Sequence, residues 1–78
     1  MTASAYILIE VNAGQVSNAL KQIQKVDGVK LADSVTGPYD IIAKIDAATT
    51  DELGKKIATK IQPVQGVLKT LTCMVVNL

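Results

Sequence analysis

The sequence predicts an α+β domain of element order βαββαβ, in which one antiparallel sheet carries two helices on a single face. Three observations predict it. β-branched runs with a period of two alternate with runs whose apolar residues recur at helical spacing, a capping pattern stands ahead of each helical run, and the chain faintly repeats itself. In that repeat Ile9-Glu-Val-Asn-Ala13 resembles Ala43-Lys-Ile-Asp-Ala47, and Val26-Asp-Gly-Val29 resembles Val64-Gln-Gly-Val67, at offsets of 34 and 38.

Ala5-Tyr-Ile-Leu-Ile-Glu-Val11 reads as the first strand, with Ala5, Ile7, Ile9 and Val11 on one face. Asn12 as N-cap and Gln15 at the third helical position form a capping box, followed by Val16, Ala19, Leu20, Ile23 and Val26 at helical spacing. Helix one is expected from about Ala13 to Val26, ended by Asp27-Gly28. Val29 to Val35 gives strand two, and the turn residues of Thr36-Gly-Pro-Tyr-Asp40 fold Ile41 to Ile45 back as strand three. Thr49 and Glu52 make a second capping box ahead of Leu53, Ile57 and Ile61, which predicts helix two from about Thr50 to Ile61. Pro63 and Gly66 close it, and the last strand runs from Val67 to about Val76. Two such units make a ferredoxin-like fold with a four-stranded antiparallel sheet.

Alternation assigns Ile7, Ile9, Val11, Ile41, Ala43 and Ile45 to the helix-covered face. The opposite face then carries Tyr6, Leu8, Ala32, Ser34, Ile42, Leu68, Thr70, Thr72, Met74 and Val76, together with Glu10 and Lys44. A sheet face left to water is mostly polar, and this one holds large apolar groups, so two sheets are expected to pair face to face in a homodimer. The interface residues are Tyr6, Leu8, Ile42, Met74 and Val76. A last strand turned the other way, with Val67, Lys69, Leu71, Cys73 and Val75 outward, would leave the sheet with two apolar faces all the same.

Composition excludes much. A chain of 78 residues forms one small domain; at this size roughly 60% of the unfolded surface is buried, which favours oligomerisation. Without His there is no Ser/His or Cys/His nucleophile pair and no Zn site of the usual kind, and one Cys forms no internal disulfide or CxxC motif. Cys73 reads as a small buried hydrophobe in an apolar run. Eight lysines against seven acids, with no Arg, leave no nucleic-acid footprint, and no apolar run approaches the ~20 residues of a membrane span. A soluble, cytoplasmic protein that binds neither nucleic acid nor membrane is expected. Lys21 and Lys25, and Lys56 and Lys60, are i, i+4 pairs on solvated helix faces.

Thr36-Gly-Pro-Tyr-Asp40 is the polar cluster with the look of a site. Pro38 fixes the backbone, backbone amides near Gly37 suit a carboxylate, Tyr39 adds a flat surface with a hydroxyl, and the Asp40 carboxylate suits an ammonium group. The plainer alternative is a hairpin turn whose Asp40 caps its own backbone. Thr70 and Thr72 protrude together from strand four, as hydroxyl donors or as ordinary β-branched strand residues.

Val35-Thr-Gly-Pro-Tyr-Asp40 between two strands, with Val64-Gln-Gly-Val67 and Thr70-Leu-Thr72 downstream, resembles the C-terminal effector domain of the Lrp/AsnC transcription regulators, the RAM domain. The resemblance covers Ala5 to Leu78. It implies a dimeric α+β barrel type of assembly: sheet-to-sheet homodimers joined into rings, commonly octamers, with an amino-acid effector between dimers. It implies no cofactor, metal or catalytic residue. Carried onto this chain, the ligand-binding residues are Gly37, Pro38, Tyr39 and Asp40, with Thr70 and Thr72 from strand four.

The family's helix-turn-helix domain has no counterpart in the 78 residues, so the chain is similar to the stand-alone form, with regulation of transcription passing through co-assembly with full-length Lrp/AsnC-type regulators. Two other functions stay open: a small enzyme on the dimeric α+β barrel, with Asp40 as its acid or base, and a ligand-free structural module for hetero-oligomerisation.

Overall fold

The structure, a computed structural model, describes residues 2–78. The elements follow the expected order: β1 (Ala3–Val11), α1 (Val16–Gln24), β2 (Val29–Ser34), β3 (Ile41–Ala47), α2 (Thr50–Lys56) and β4 (Val67–Met74). The four strands form one antiparallel sheet in the order β2-β3-β1-β4. Helix α1 lies over β2 and β3, while α2 lies over β1 and β3.

The covered side of the sheet is the core. Ala5, Ile7, Ile9 and Val11 of β1 and Ile41, Ala43, Ile45 and Ala47 of β3 are buried against Ala19 and Ile23 of α1 and Leu53, Ile57 and Ile61 beyond them. Burying side chains of this size contributes about 1.5–3 kcal/mol each, before the chain entropy lost on ordering is set against it.

Helix α1 starts later than the capping pattern predicts. Gly14 has φ +87°, a left-handed residue that no helix passes through, so Asn12 does not cap α1. Its carbonyl instead closes a turn onto the Gln15 N–H at 3.0 Å, and Gln15 occupies the N-cap position without a side-chain bond. The second cap forms as expected: Thr49 Oγ1 accepts the Glu52 N–H at 3.1 Å. Beyond Lys56 the winding loosens into a π-helical turn, Ile57–Ile61, in which the Gln62 N–H reaches the Ile57 carbonyl at 2.9 Å.

The internal repeat is visible in the backbone. Gly28 and Gly66 end the two helical segments at φ +95° and +94°. The Gly28 carbonyl accepts the Asp46 N–H, the Gly66 carbonyl accepts the Asn12 N–H, and both bonds are 2.8 Å. The equivalence extends to the edge strands. Between Val29 and Leu31 the β2–β3 register shifts by one residue, and β4 takes in an extra residue at Leu68 where it meets Glu10 and Val11. Lys30 and Leu68 are therefore paired β-bulges.

These bulges correct the face assignment of both edge strands, because one inserted residue turns every later side chain to the other face. Ala32 pairs with Ala43 and is buried, and Ser34 pairs with Ile41, so both belong to the helix side. Thr70, Thr72 and Met74 pair with Ile9, Ile7 and Ala5, so they also lie on the helix side. Met74 is thereby removed from the expected interface face, and Val76 lies beyond the end of β4. In their place Leu31, Asp33, Lys69, Leu71 and Cys73 share the open face with Tyr6, Leu8, Glu10, Ile42 and Lys44. Cys73 is exposed there, not buried.

Candidate functional site

The loop between β2 and β3 is held by three hydrogen bonds around Asp40. The Val35 N–H donates to the Asp40 carbonyl at 2.9 Å, the Asp40 N–H donates to the Ile9 carbonyl at 2.9 Å, and Asp40 Oδ2 accepts the Val11 N–H at 2.8 Å. Ile9 opposite Ile41 is the last regular pair of the β1–β3 ladder. There the chain leaves the ladder, and the carboxylate takes the place of the missing strand carbonyl. Asp40 thus caps the backbone of β1, not that of its own hairpin. Gly37 and Pro38 are exposed, while Tyr39 and Asp40 are half-buried.

Thr70 and Thr72 stand apart from this loop. They lie on the edge strand β4, separated from β3 by β1, and Thr70 shares its sheet row with Ile9 and Ile41. Two strand spacings, roughly 10 Å, separate Thr70 from Ile41. Thr70 Oγ1 accepts a hydrogen bond from Gln62 Nε2 at 3.2 Å, and both residues line a cleft of about 300 Å³ with Val67, Leu68 and Lys69. Nothing in the residue pattern singled out Gln62; its place follows from the π-helical turn before it.

The open face of the sheet is the other candidate feature. Its central row runs Ile42, Leu8, Leu71 across β3, β1 and β4, and the next row runs Leu31, Lys44, Tyr6, Cys73. Tyr6, Leu31, Leu71 and Val75 are each more than 40% exposed, so the patch is open to an apolar partner. The Lys44 ammonium sits 5.7 Å from the centre of the Tyr6 ring, and Ser4 Oγ donates to Asp46 Oδ1 at 2.7 Å. Among the described residues no group of three or more His, Cys, Asp or Glu gathers where it could hold a metal ion, and no helix is long and apolar enough to cross a membrane.

A βαββαβ sheet covered on one side, with an anchored polar loop at one end, defines an α+β domain of the ferredoxin-like class. The chain belongs to the Lrp/AsnC family: the family model described as the Lrp/AsnC ligand binding domain matches residues 4–77. An uncharacterized HTH-type transcriptional regulator of Pyrococcus furiosus is 33% identical over 72 residues, covering 91% of this chain and 48% of the regulator. The chain thus spans about half the length of the curated relatives it matches. Escherichia coli AsnC superposes with a TM-score of 0.90 at 28% identity, over 96% of this chain and 51% of AsnC. A protein of Thermus thermophilus superposes with a TM-score of 0.91 at 28% identity, covering 97% of this chain and 95% of its own.

Proposed function

We propose that this chain is a non-enzymatic, amino-acid-responsive effector-binding and oligomerisation domain, which modulates transcription regulators indirectly by assembling with them. The observation that carries this reading is the open sheet face. Leu8, Leu31, Ile42, Leu71 and Tyr6 form an apolar surface, with Lys44 set between Leu31 and Tyr6 and with Asp33, Glu10 and Lys69 around it, suited to a second sheet of the same kind. Homodimers formed there would leave the loops and the β4 edges to meet further copies, up to a ring such as an octamer.

The ligand set proposed for the site is Gly37, Pro38, Tyr39 and Asp40 with Thr70 and Thr72. An amino acid is too small to touch both groups across the β1–β3 part of one sheet. The loop of one copy and the β4 edge of another would supply them together, so that ligand and assembly are linked. A ligand that binds one assembly state better than another shifts the equilibrium by that difference in affinity. Asp40 favours this reading over an enzyme, since one of its oxygens is engaged in holding the loop to Val11.

Light scattering after size-exclusion chromatography, with and without each of the twenty common amino acids, tests the proposal. The expected result is an oligomer whose mass changes with at least one of them. A monomer under all conditions would overturn it. Thermal shift gives an independent reading, because a ligand at 100 times its Kd adds about 2.7 kcal/mol of stability.

A further inference from the structure

We infer that the cleft between the end of α1 and the second helical segment, lined by Lys25, Lys56 and Lys60, binds the phosphate group of a small phosphate ester. This cleft shares no residue with the Asp40 loop or the β4 edge, so the inference is independent of the effector reading.

The two halves of the chain build two equivalent clefts in the helix layer, and one of them is charged. At the offset of 38, Asn18, Gln22, Lys25 and Asp27 correspond to Lys56, Lys60, Pro63 and Gln65, and Val26 corresponds to Val64. The first cleft, about 490 Å³, is lined by Lys25, Asp27, Lys56 and Lys60 with Val26 and Val64. Its counterpart, about 500 Å³, is lined by Asn18, Gln22, Pro63, Val64 and Gln65. The same packing of helical segments is made once with neutral side chains and once with three ammonium groups. The fold therefore does not require the lysines.

Three ammonium groups against the carboxylate of Asp27 give the cleft a formal charge of +2, where the whole chain has +1. Asp27 offsets little of it. Its side chain is wholly exposed and meets Lys56 Nζ at 3.7 Å, a setting in which an ion pair is weak. Among the described residues Lys25 and Lys60 have no carboxylate within 4 Å, and Lys56 and Lys60, four apart on one helical segment, repel each other. Lys25 and Lys60 stand near helix ends, where a cation offsets the dipole, but Lys56 stands where α2 passes into the π-helical turn, with no such end beside it. Its ammonium lies half-buried over Gly28, 2.8 Å from where a Cβ on that residue would be. A phosphate monoester has a charge of about −1.5 to −2 at pH 7 and three acceptor oxygens, which suits a +2 cleft with three ammonium donors. Val26 and Val64 give the organic part of the ester an apolar wall.

The test is an NMR titration of the backbone amides of the full chain with inorganic phosphate and with phenyl phosphate, at an ionic strength held constant with sodium chloride. Wild type is compared with Lys56→Asn/Lys60→Gln, which gives those two positions the side chains of the neutral counterpart, with Lys25→Gln at the exposed cap, and with Lys30→Gln, which removes one charge at the β2 bulge. The expected result is saturable shifts at Lys25, Val26, Lys56 and Lys60, with phenyl phosphate bound more tightly than inorganic phosphate. The Kd rises about tenfold or more in the double variant and at least several-fold in Lys25→Gln, as loss of hydrogen bonds to a charged group does, and is unchanged in Lys30→Gln. A wild-type cleft that responds to neither probe would overturn the inference. So would a Kd that stays the same in Lys25→Gln and in the folded double variant, or one that rises equally in Lys30→Gln. Equal shifts at Asn18 and Gln65 would overturn it too, by showing that the anion does not distinguish the charged cleft from the neutral one. Phenyl phosphate bound no more tightly than inorganic phosphate would overturn the part given to Val26 and Val64.

Discussion

The Asp40 carboxylate accepts the Val11 N–H at 2.8 Å, across a separation of 29 residues in the chain. It extends the β1–β3 ladder by one bond beyond the point where the backbone of β3 has turned away, so the position of the polar loop depends on this side chain.

Removing that acceptor leaves a half-buried backbone donor without its partner. Asp40→Ala is expected to cost about 1–3 kcal/mol in urea unfolding, and Asp40→Asn, whose side-chain carbonyl still accepts, about 1 kcal/mol or less. The comparison separates geometry from charge. Equal losses in the two variants would mean that the charge, and not the bond to Val11, holds the loop.

The two capping patterns make a paired prediction. Thr49→Ala removes a bond that the structure contains and is expected to cost about 1 kcal/mol, while Asn12→Ala, whose side chain caps no helix, is expected to cost less than half of that. Thermal melts of the two variants beside wild type check the order. A larger loss for Asn12→Ala would place a side-chain contact at the start of α1.

Both patterns read alike in the sequence, and what divides them is Gly14. A glycine inside Asn-Ala-Gly-Gln can be the second residue of a helix or a left-handed turn, and local composition does not choose between them. The edge strands show the same limit. Lys30 and Leu68 are ordinary strand residues, so a straight count of alternation runs through each bulge and reverses the faces beyond it. The central strands β1 and β3 have no bulge against each other, and there the predicted core of Ile7, Ile9, Ile41 and Ile45 is the core of the structure. The loop of Gly37 to Asp40 was legible because its turn residues carry their own conformational preferences. Gln62 was not, since a polar residue after a helix has no periodic signal, and the π-helical turn keeps the same Ile57 and Ile61 spacing as an α-helix.

Two glycines predict substitutions of opposite sign. A Cβ on Gly28 would lie 2.5 Å from the Asp46 carbonyl oxygen, and the residue is at φ +95°. Gly28→Ala is expected to destabilise by about 2 kcal/mol or more, from left-handed strain plus the displaced backbone. Gly54 lies inside α2 with nothing within 4 Å of its added Cβ. Gly54→Ala is expected to stabilise by about 0.5–1 kcal/mol through helix propensity and the unfolded state. Denaturant midpoints that moved the same way for both would contradict the local geometry.

The corrected face assignment gives the test of sheet pairing its control. Leu71 stands in the central row of the open face opposite Leu8, whereas Met74 pairs with Ala5 on the helix side. Leu71→Glu places a charge in the middle of the proposed interface and is expected to lower the oligomer mass in light scattering, while Met74→Glu leaves sheet-to-sheet pairing in place. Cys73 reports on the same surface, because it lies beside Tyr6 in the next row and is exposed in the single chain. A thiol reagent is expected to label Cys73 slowly in the wild-type assembly and at least several-fold faster in Leu71→Glu. Fast labelling of wild type at concentrations where it is oligomeric would show that the copies meet through some other surface, and the helix side of β4, where Met74 lies, would then be the face to mutate next.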